Sequence, residues 1–355
     1  MDTILVTGAA GTVGSYVVPL AEAAGYRVVA NDRTATGVRV PVRGEVRAGD
    51  LRSGEVIREV VRGCDVVVHA AAEHRVDAGA ADLARVNTDV VAHLYEAAEA
   101  AGARRFVHLS TSMLYDPTAG QPLTEPSALA PRGPLGLSKH GAEMFLRGKT
   151  AAGSLEWTVL RMAPVYGQRG RHFAAALLCV GPILRLLTPV LPRPTGGPSG
   201  TMVHAEDVAR AIIFALSKSE TAGEIYNVSD GDPMTLGDRI AETFRAYGLR
   251  TIPTGRLPKV VLEGLGRTFQ APGAHGTADV ASLAAWRLVT MRHGLKPALR
   301  PRLDREAMTL LYQDLLVDSG KLRSLGWEPR HASFGDGFRQ VLRWYQAEQW
   351  VPRYG

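Results

Sequence analysis

Short apolar runs rich in β-branched residues recur through the first half of the chain, separated by longer stretches with helical spacing. Thr3–Thr7, Arg27–Asn31, Asp65–His69, Phe106–Ser110 and Trp157–Arg161 read as strands. Ala- and Glu-rich segments between them, such as Val90–Ala101 and Lys139–Lys149, read as helices. Strand and helix alternating in this way predict an α/β unit, a doubly wound parallel sheet with helices on both faces. The rhythm changes after residue 166. Pro- and Gly-rich loops (Thr188–Gly200) and apolar helices follow, with one return to strand character at Glu224–Val228. The expected division is a sheet domain over 1–165 that 201–228 rejoins, with 166–200 and 229–355 forming a smaller, mainly helical substrate lobe.

The first strand runs into Gly8-Ala-Ala-Gly11-Thr12-Val13-Gly14 and then into a helix. In such a turn the first glycine permits the sharp reversal. The second lets backbone approach a pyrophosphate, and the third lets the helix sit close on the sheet. The helix N-terminus, with Thr12 and Val13 beside it, offers unpaired N–H groups and a positive dipole to phosphates. Asp32 ends the next strand, 18 residues after Gly14, where a carboxylate would hold an adenosine ribose. Arg33 is either a solvated charge or a partner for a 2′-phosphate, so NADH and NADPH both stay open. Gly49-Asp50-Leu51 would set Asp50 and Leu51 beside the adenine, or Asp50 simply caps a helix. The fold expected is a Rossmann-type dinucleotide domain.

Composition narrows the class. With 46% hydrophobic and 21% charged residues over 355 positions, disordered and coiled-coil chains are excluded. The net charge of +6 is spread without a dense basic run, which argues against nucleic acid and suits an anionic small molecule. Cys64 and Cys179 are isolated, so neither a disulfide framework nor a metal site is expected. The N-terminus does not resemble a signal peptide, and Ala174–Leu191, the most apolar stretch, is interrupted by Pro182, Arg185 and Pro189. A cytoplasmic protein without a membrane partner is expected.

Gly8-x-x-Gly11-x-x-Gly14, His69-Ala-Ala-Ala72, Leu109-Ser-Thr-Ser-Met-Leu-Tyr115, Ser138-Lys139, Leu160-Arg161 with Val165-Tyr166-Gly167, and Val203-His204-Ala-Glu-Asp207-Val208-Ala209 together resemble the extended short-chain dehydrogenase/reductase family, in its epimerase/dehydratase branch. Asp318-Ser-Gly-Lys321 through Trp327 looks like that branch's C-terminal end. The resemblance implies that Ala70, Ala71 and Ala72 contact the cofactor diphosphate and ribose, that Pro164 and Val165 sit near the nicotinamide, and that the chain forms a homodimer. It implies a catalytic hydroxyl at Thr111, flanked by Ser110 and Ser112, and a lysine, Lys139, that holds the nicotinamide ribose. The family's tyrosine should lie four residues before that lysine. Leu135 stands there.

Leucine donates no proton, so tyrosine-mediated acid–base catalysis is absent. General acid catalysis typically contributes about 10²–10⁴-fold, and hydride transfer survives without it. Hydroxyls at Thr111 or Ser112 can still stabilise a developing alkoxide. Tyr115 and Tyr166 belong to motifs whose rings pack structurally, and His140 lies about 100° round the helix from Lys139. Glu73 and His74 follow the fourth strand, either as a loop near the substrate or as solvated charges, and His172 belongs to the lobe. Glu73, Ser112, Leu135 and His172 are the expected substrate contacts. A ketone beside a phenol carries its own acid, so the expected activity is NAD(P)H-dependent reduction of a hydrophobic polycyclic ketone. The substitution resembles that of tyrosine-lacking ketoreductases acting on angucyclinone-like aromatic polyketides. The alternatives are a nucleotide-sugar epimerase or dehydratase with a displaced base, and a catalytically silent dinucleotide-binding protein.

Overall fold

The computed structural model describes all residues except 39–40, 75–77, 150–154, 172, 257, 302–306 and 355. Six strands follow in chain order, β1 (Thr3–Thr7), β2 (Arg27–Asn31), β3 (Glu45–Val46), β4 (Val66–His69), β5 (Arg105–Thr111) and β6 (Glu156–Met162). Joined by an edge strand, Glu224–Val228, they form a seven-stranded sheet with every pairing parallel. From one edge the order is Glu224–Val228, β6, β5, β4, β1, β2, β3. The order reverses beside β1, and in open α/β sheets a ligand crevice lies at such a switch, beyond the carboxyl ends of the strands.

Central strands are buried on both faces because helices cover each. Ile4, Val6, Val28, Val66, Val68 and Val107 pack on one side with Val17, Val208 and Ile212. Leu5, Val29, Val67, Phe106 and Val159 pack on the other with Ile57, Val91, Leu94 and Leu146. The spacing of Ile57, Val60 and Val61 explains why helix α2 (Gly54–Val61) turns one stripe inward, the first helix, α1 (Gly14–Ala23), having already covered the opposite face. The helix expected from Lys139 begins earlier, at Gly133, and ends at Gly148. Pro134 in its first turn has the φ a helix needs and lacks an N–H that would go unpaired there. Leu135 is therefore helical and, four residues before Lys139, shares its face.

The remaining chain builds a second core from Tyr166, Leu178, Phe244, Tyr247, Trp286, Phe334, Phe338 and Tyr345. Helices Phe173–Leu184, Leu236–Ala246, Pro272–Arg292 and Phe334–Ala347 supply most of it. A two-stranded parallel ribbon, Leu191–Thr195 with Thr251–Arg256, was not foreseen, because three prolines break its strand pattern. No helix among the described residues is long and apolar enough to cross a membrane.

Asp230 follows the edge strand at 2% exposure, and its Oδ1 accepts from the Met202 and Asp232 amides. Burial pushes its pKa up to about 7, with Asp232 adding to the rise. The folded pKa is raised above the unfolded one, so this group's contribution to stability is present at low pH and is lost as pH rises through 7. Asp230→Asn should therefore gain more in urea midpoint at pH 8 than at pH 5, measured by denaturation at both.

Candidate active site

The glycine turn is a cradle that side chains would fill. A Cβ on Gly8, whose φ is 67°, would lie 2.7 Å from the Ala71 amide nitrogen, and one on Gly14 would lie 2.2 Å from the Gly8 carbonyl oxygen. No side chain caps the N-terminus of α1, so the N–H groups near Thr12 and Val13 face outward. The residues fit a dinucleotide phosphate on this evidence. The Asp32 carboxylate is held in place, Oδ2 accepting from the Ala10 amide at 3.0 Å and Oδ1 from the Arg33 amide at 2.8 Å. Arg33 is exposed. Asp50 is engaged by Arg52 through Nε and a 2.6 Å contact from Nη2, while Leu51 turns into the core. That pairing occupies Arg52.

Ala70–Ala72 lead out of β4 beside the glycine turn, with the Ala71 amide donating to Thr7 Oγ1. Thr7, His69 and His108 lie in register across β1, β4 and β5, where Thr7 Oγ1 meets His69 Nδ1 at 2.9 Å. Burial pushes the His69 pKa down to about 3 and holds that of His108 well below its usual value. Both imidazoles are neutral at pH 7. Lys139, 4% exposed, donates from Nζ to the Leu109 carbonyl at 3.0 Å. Burial lowers its pKa to about 8, against a raising effect from Glu143.

Thr111 is half-buried at the end of β5, and its Oγ1 accepts from the Met113 amide, starting a 3₁₀ turn over Ser112–Leu114. Ser112 is fully buried, and its hydroxyl has no hydrogen-bond partner among the described residues. Tyr115 donates to Asn227 Oδ1 at 2.7 Å and accepts from Arg161, a structural role. Tyr166 is 0% exposed and packs edge-on against Phe334. Neither phenol replaces the one missing at Leu135, which is half-buried. Pro164 and Val165 are half-buried after β6, and the Pro164 carbonyl accepts from Val203. His172 lies outside the described residues.

Two residues that pattern reasoning passed over organise this site. Asn87, 1% exposed in a π-helical turn over Arg85–Asp89, accepts from the Glu73 amide at 2.8 Å and donates to the Glu73 carbonyl at 3.0 Å. It also donates to Ser138 Oγ, which donates in turn to the Leu135 carbonyl at 2.8 Å. One side chain thus ties the loop of Glu73 to the turn that carries Leu135. Glu143, one turn beyond Lys139, pairs with Arg161 at 2.6 Å with both side chains 1% exposed. Asn87 carried no local signal, since it stands among other polar residues, Arg85, Thr88 and Asp89.

Two outcomes follow from this geometry. NADH affinity should fall as pH rises through about 8, where Lys139 loses its proton, while Lys139→Met binds weakly with no such pH dependence, both read by titrating cofactor fluorescence. Asp32→Ser should shift preference toward NADPH by roughly tenfold, the size of one charge–charge contact of about 1.4 kcal/mol, read as a ratio of dissociation constants.

The chain matches the NAD dependent epimerase/dehydratase family over residues 4–229. A 3-diazoavenalumate denitrifying reductase from Streptomyces sp. is 32% identical over 290 residues, covering 78% of this chain and 92% of that protein. UDP-glucose 4-epimerase of Streptomyces lividans is 29% identical over 311 residues, covering 79% and 94%. Among solved structures, the Thermus thermophilus UDP-glucose 4-epimerase complex with NAD aligns with a TM-score of 0.68 at 25% identity, covering 97% of this chain and 99% of that one. The Thermotoga maritima UDP-glucose 4-epimerase with UDP-glucose aligns at 0.71 and 22%, covering 97% and 99%. The glycine cradle, the buried lysine and the parallel sheet are accordingly those of an NAD(P)-dependent oxidoreductase, and the chain belongs to the epimerase/dehydratase family of short-chain dehydrogenase/reductases.

Proposed function

We propose that the protein is an NAD(P)H-dependent reductase that delivers hydride to a hydrophobic aromatic substrate, a ketone of an angucyclinone-like polyketide, without an enzyme-supplied phenol. The observation that carries this reading is Leu135 on the face of Lys139, with Thr111 retained and Tyr115 and Tyr166 both committed to packing. Lys139 and Asp32 bind and orient the cofactor through its riboses. Thr111 hydrogen-bonds the substrate oxygen. A bound nicotinamide would supply hydride to the carbonyl carbon, and the proton for the resulting oxygen would come from a neighbouring substrate phenol or from water. The phenolate then recovers a proton from solvent.

The Streptomyces relative supports the same demand on the site. It is named for reductive removal of nitrogen from a diazo-bearing substrate. A diazonium carbon that gains hydride loses dinitrogen and needs no proton, so an acceptor of that class also suits a pocket without the tyrosine. Nucleotide-sugar chemistry is the second reading, favoured by the UDP-glucose 4-epimerase and dTDP-glucose 4,6-dehydratase relatives. Leu135 weighs against it, because oxidising a sugar hydroxyl needs a positioned base.

The test uses NADH and NADPH deuterated at the transferable position, with phenolic polycyclic ketones and nucleotide sugars, and locates the label by mass spectrometry. Deuterium on a carbinol carbon is expected. Label or altered product only among the sugars would replace this reading with the second. Leu135→Tyr should leave the rate unchanged or lower it; a gain near 10²-fold, the lower range of general acid catalysis, would contradict a substrate-supplied proton.

A further inference from the structure

The helices Lys259–Gln270 and Pro272–Arg292 follow one another with a single residue between them. Each turns a few side chains inward: Leu262 of the first is buried, and Trp286 and Val289 of the second join the second core. A helix at a protein surface ordinarily carries charged and polar residues on its other side. These two do not. Val260, Val261 and Leu265 are exposed on the first and Val280, Leu288 and Met291 on the second, with Val260 at 78%, Val280 at 67% and Met291 at 70%. The spacing of Val280, Ala284, Leu288 and Met291 sets them along one face, and Ala284 is exposed as well. Single apolar side chains scattered over a surface are ordinary, whereas six on two successive helices mark a place where something binds.

Charge is distributed as unevenly. From Arg250 to Arg300 the chain carries eight Lys or Arg and two acids, an excess of six that equals the net charge of the whole protein. The rest of the chain is balanced. Lys259, Arg267, Arg287 and Arg292 are exposed, while the two acids, Glu263 and Asp279, are half-buried. Glu263 lies 3.9 Å from both Lys259 and Arg267. The occupant must therefore be both apolar and anionic. A second copy of this chain fits poorly, because a two-fold contact sets the same basic groups against each other. A folded protein is held by aromatic anchors and directional hydrogen bonds, and the described residues of these helices expose no Tyr, Trp, Asn or Gln. A bilayer needs no such register. Apolar side chains enter the acyl boundary, and Lys and Arg stems lie along it with their charges at anionic headgroups.

We propose that the helices Lys259–Gln270 and Pro272–Arg292 form a binding surface for anionic phospholipid, on which the protein rests without crossing the bilayer. No helix among the described residues is long and apolar enough to span one. The surface lies beyond residue 229, where the match to the family ends. It owes nothing to Leu135 or to the substrate, so it stands or falls apart from the reading of the active site. A chain expected to have no membrane partner gains one, because the exposure of these side chains depends on how the helices pack and is not visible in their order.

Co-sedimentation with vesicles tests this, using phosphatidylcholine alone and phosphatidylcholine mixed with phosphatidylglycerol. The protein should partition onto the mixed vesicles at least about tenfold more strongly, each basic group near an anionic surface contributing about a factor of five. High salt should release it. Val280→Glu combined with Leu288→Glu should weaken the partition at least about tenfold. Arg287→Gln combined with Arg292→Gln should weaken it on the mixed vesicles by a similar factor. These positions are exposed, so the urea midpoint and NADH affinity of both variants should match the wild type, which separates loss of the surface from loss of the fold. No sedimentation with mixed vesicles, equal partition onto both kinds, or partition that both variants retain overturns the proposal. So does self-association in sedimentation velocity that the same variants abolish while vesicles are ignored, which would give the face to a second copy.

Discussion

A single buried ion pair sets the geometry on which the site depends. Glu143 and Arg161 meet with almost no exposure, and the carboxylate also accepts from Ser110 while the guanidinium donates to Tyr115 and to the Glu125 carbonyl. These contacts join the helix that carries Lys139 to β5 and β6, and so fix the lysine relative to Thr111. Removing one partner of such a pair leaves a bare buried charge, at a cost of about 3–5 kcal/mol. Glu143 has a second effect: its negative charge favours the protonated form of Lys139, against burial, which lowers the lysine's pKa. The pair therefore supports both the position and the charge of Lys139.

Around this frame the site keeps hydride-transfer machinery and lacks the usual acid. The neutral imidazoles of His69 and His108 beside Lys139 make no contribution of positive charge at neutral pH, so the lysine is the cation that matters there. With Leu135 half-buried on the same helical face, the region where a phenol would stand is apolar. On the proposed reading, the proton comes from the substrate or from water, or none is needed.

The second core contributes rigidity more than chemistry. Its C-terminal helix reaches back through Tyr345 to the segment 167–170, and the segment before it is clasped to the helix Ala205–Leu216 by Asp207, which accepts from the Arg330 and His331 amides. Contacts far apart in sequence thus brace the loops that surround the cofactor position. Asn87 does the same on the substrate side, where a π-turn aims one amide at both Glu73 and Ser138.

Local rules were enough for much of this molecule. Strand and helix periods, the glycine spacing and Asp32 depend on neighbours within a turn or a hairpin, so the parallel sheet, the cofactor class and the absent tyrosine were legible in the residues themselves. Ser112 illustrates the limit, since its depth of burial depends on the 3₁₀ turn after β5 and could not be read from its neighbours. Glu143 and Asn87 gave no local signal, because their roles arise from partners brought close only by the packing of the sheet and its helices. Sequence fixes which side chains are available within a few residues; only chain segments meeting over tens to hundreds of positions decide which charges are buried together.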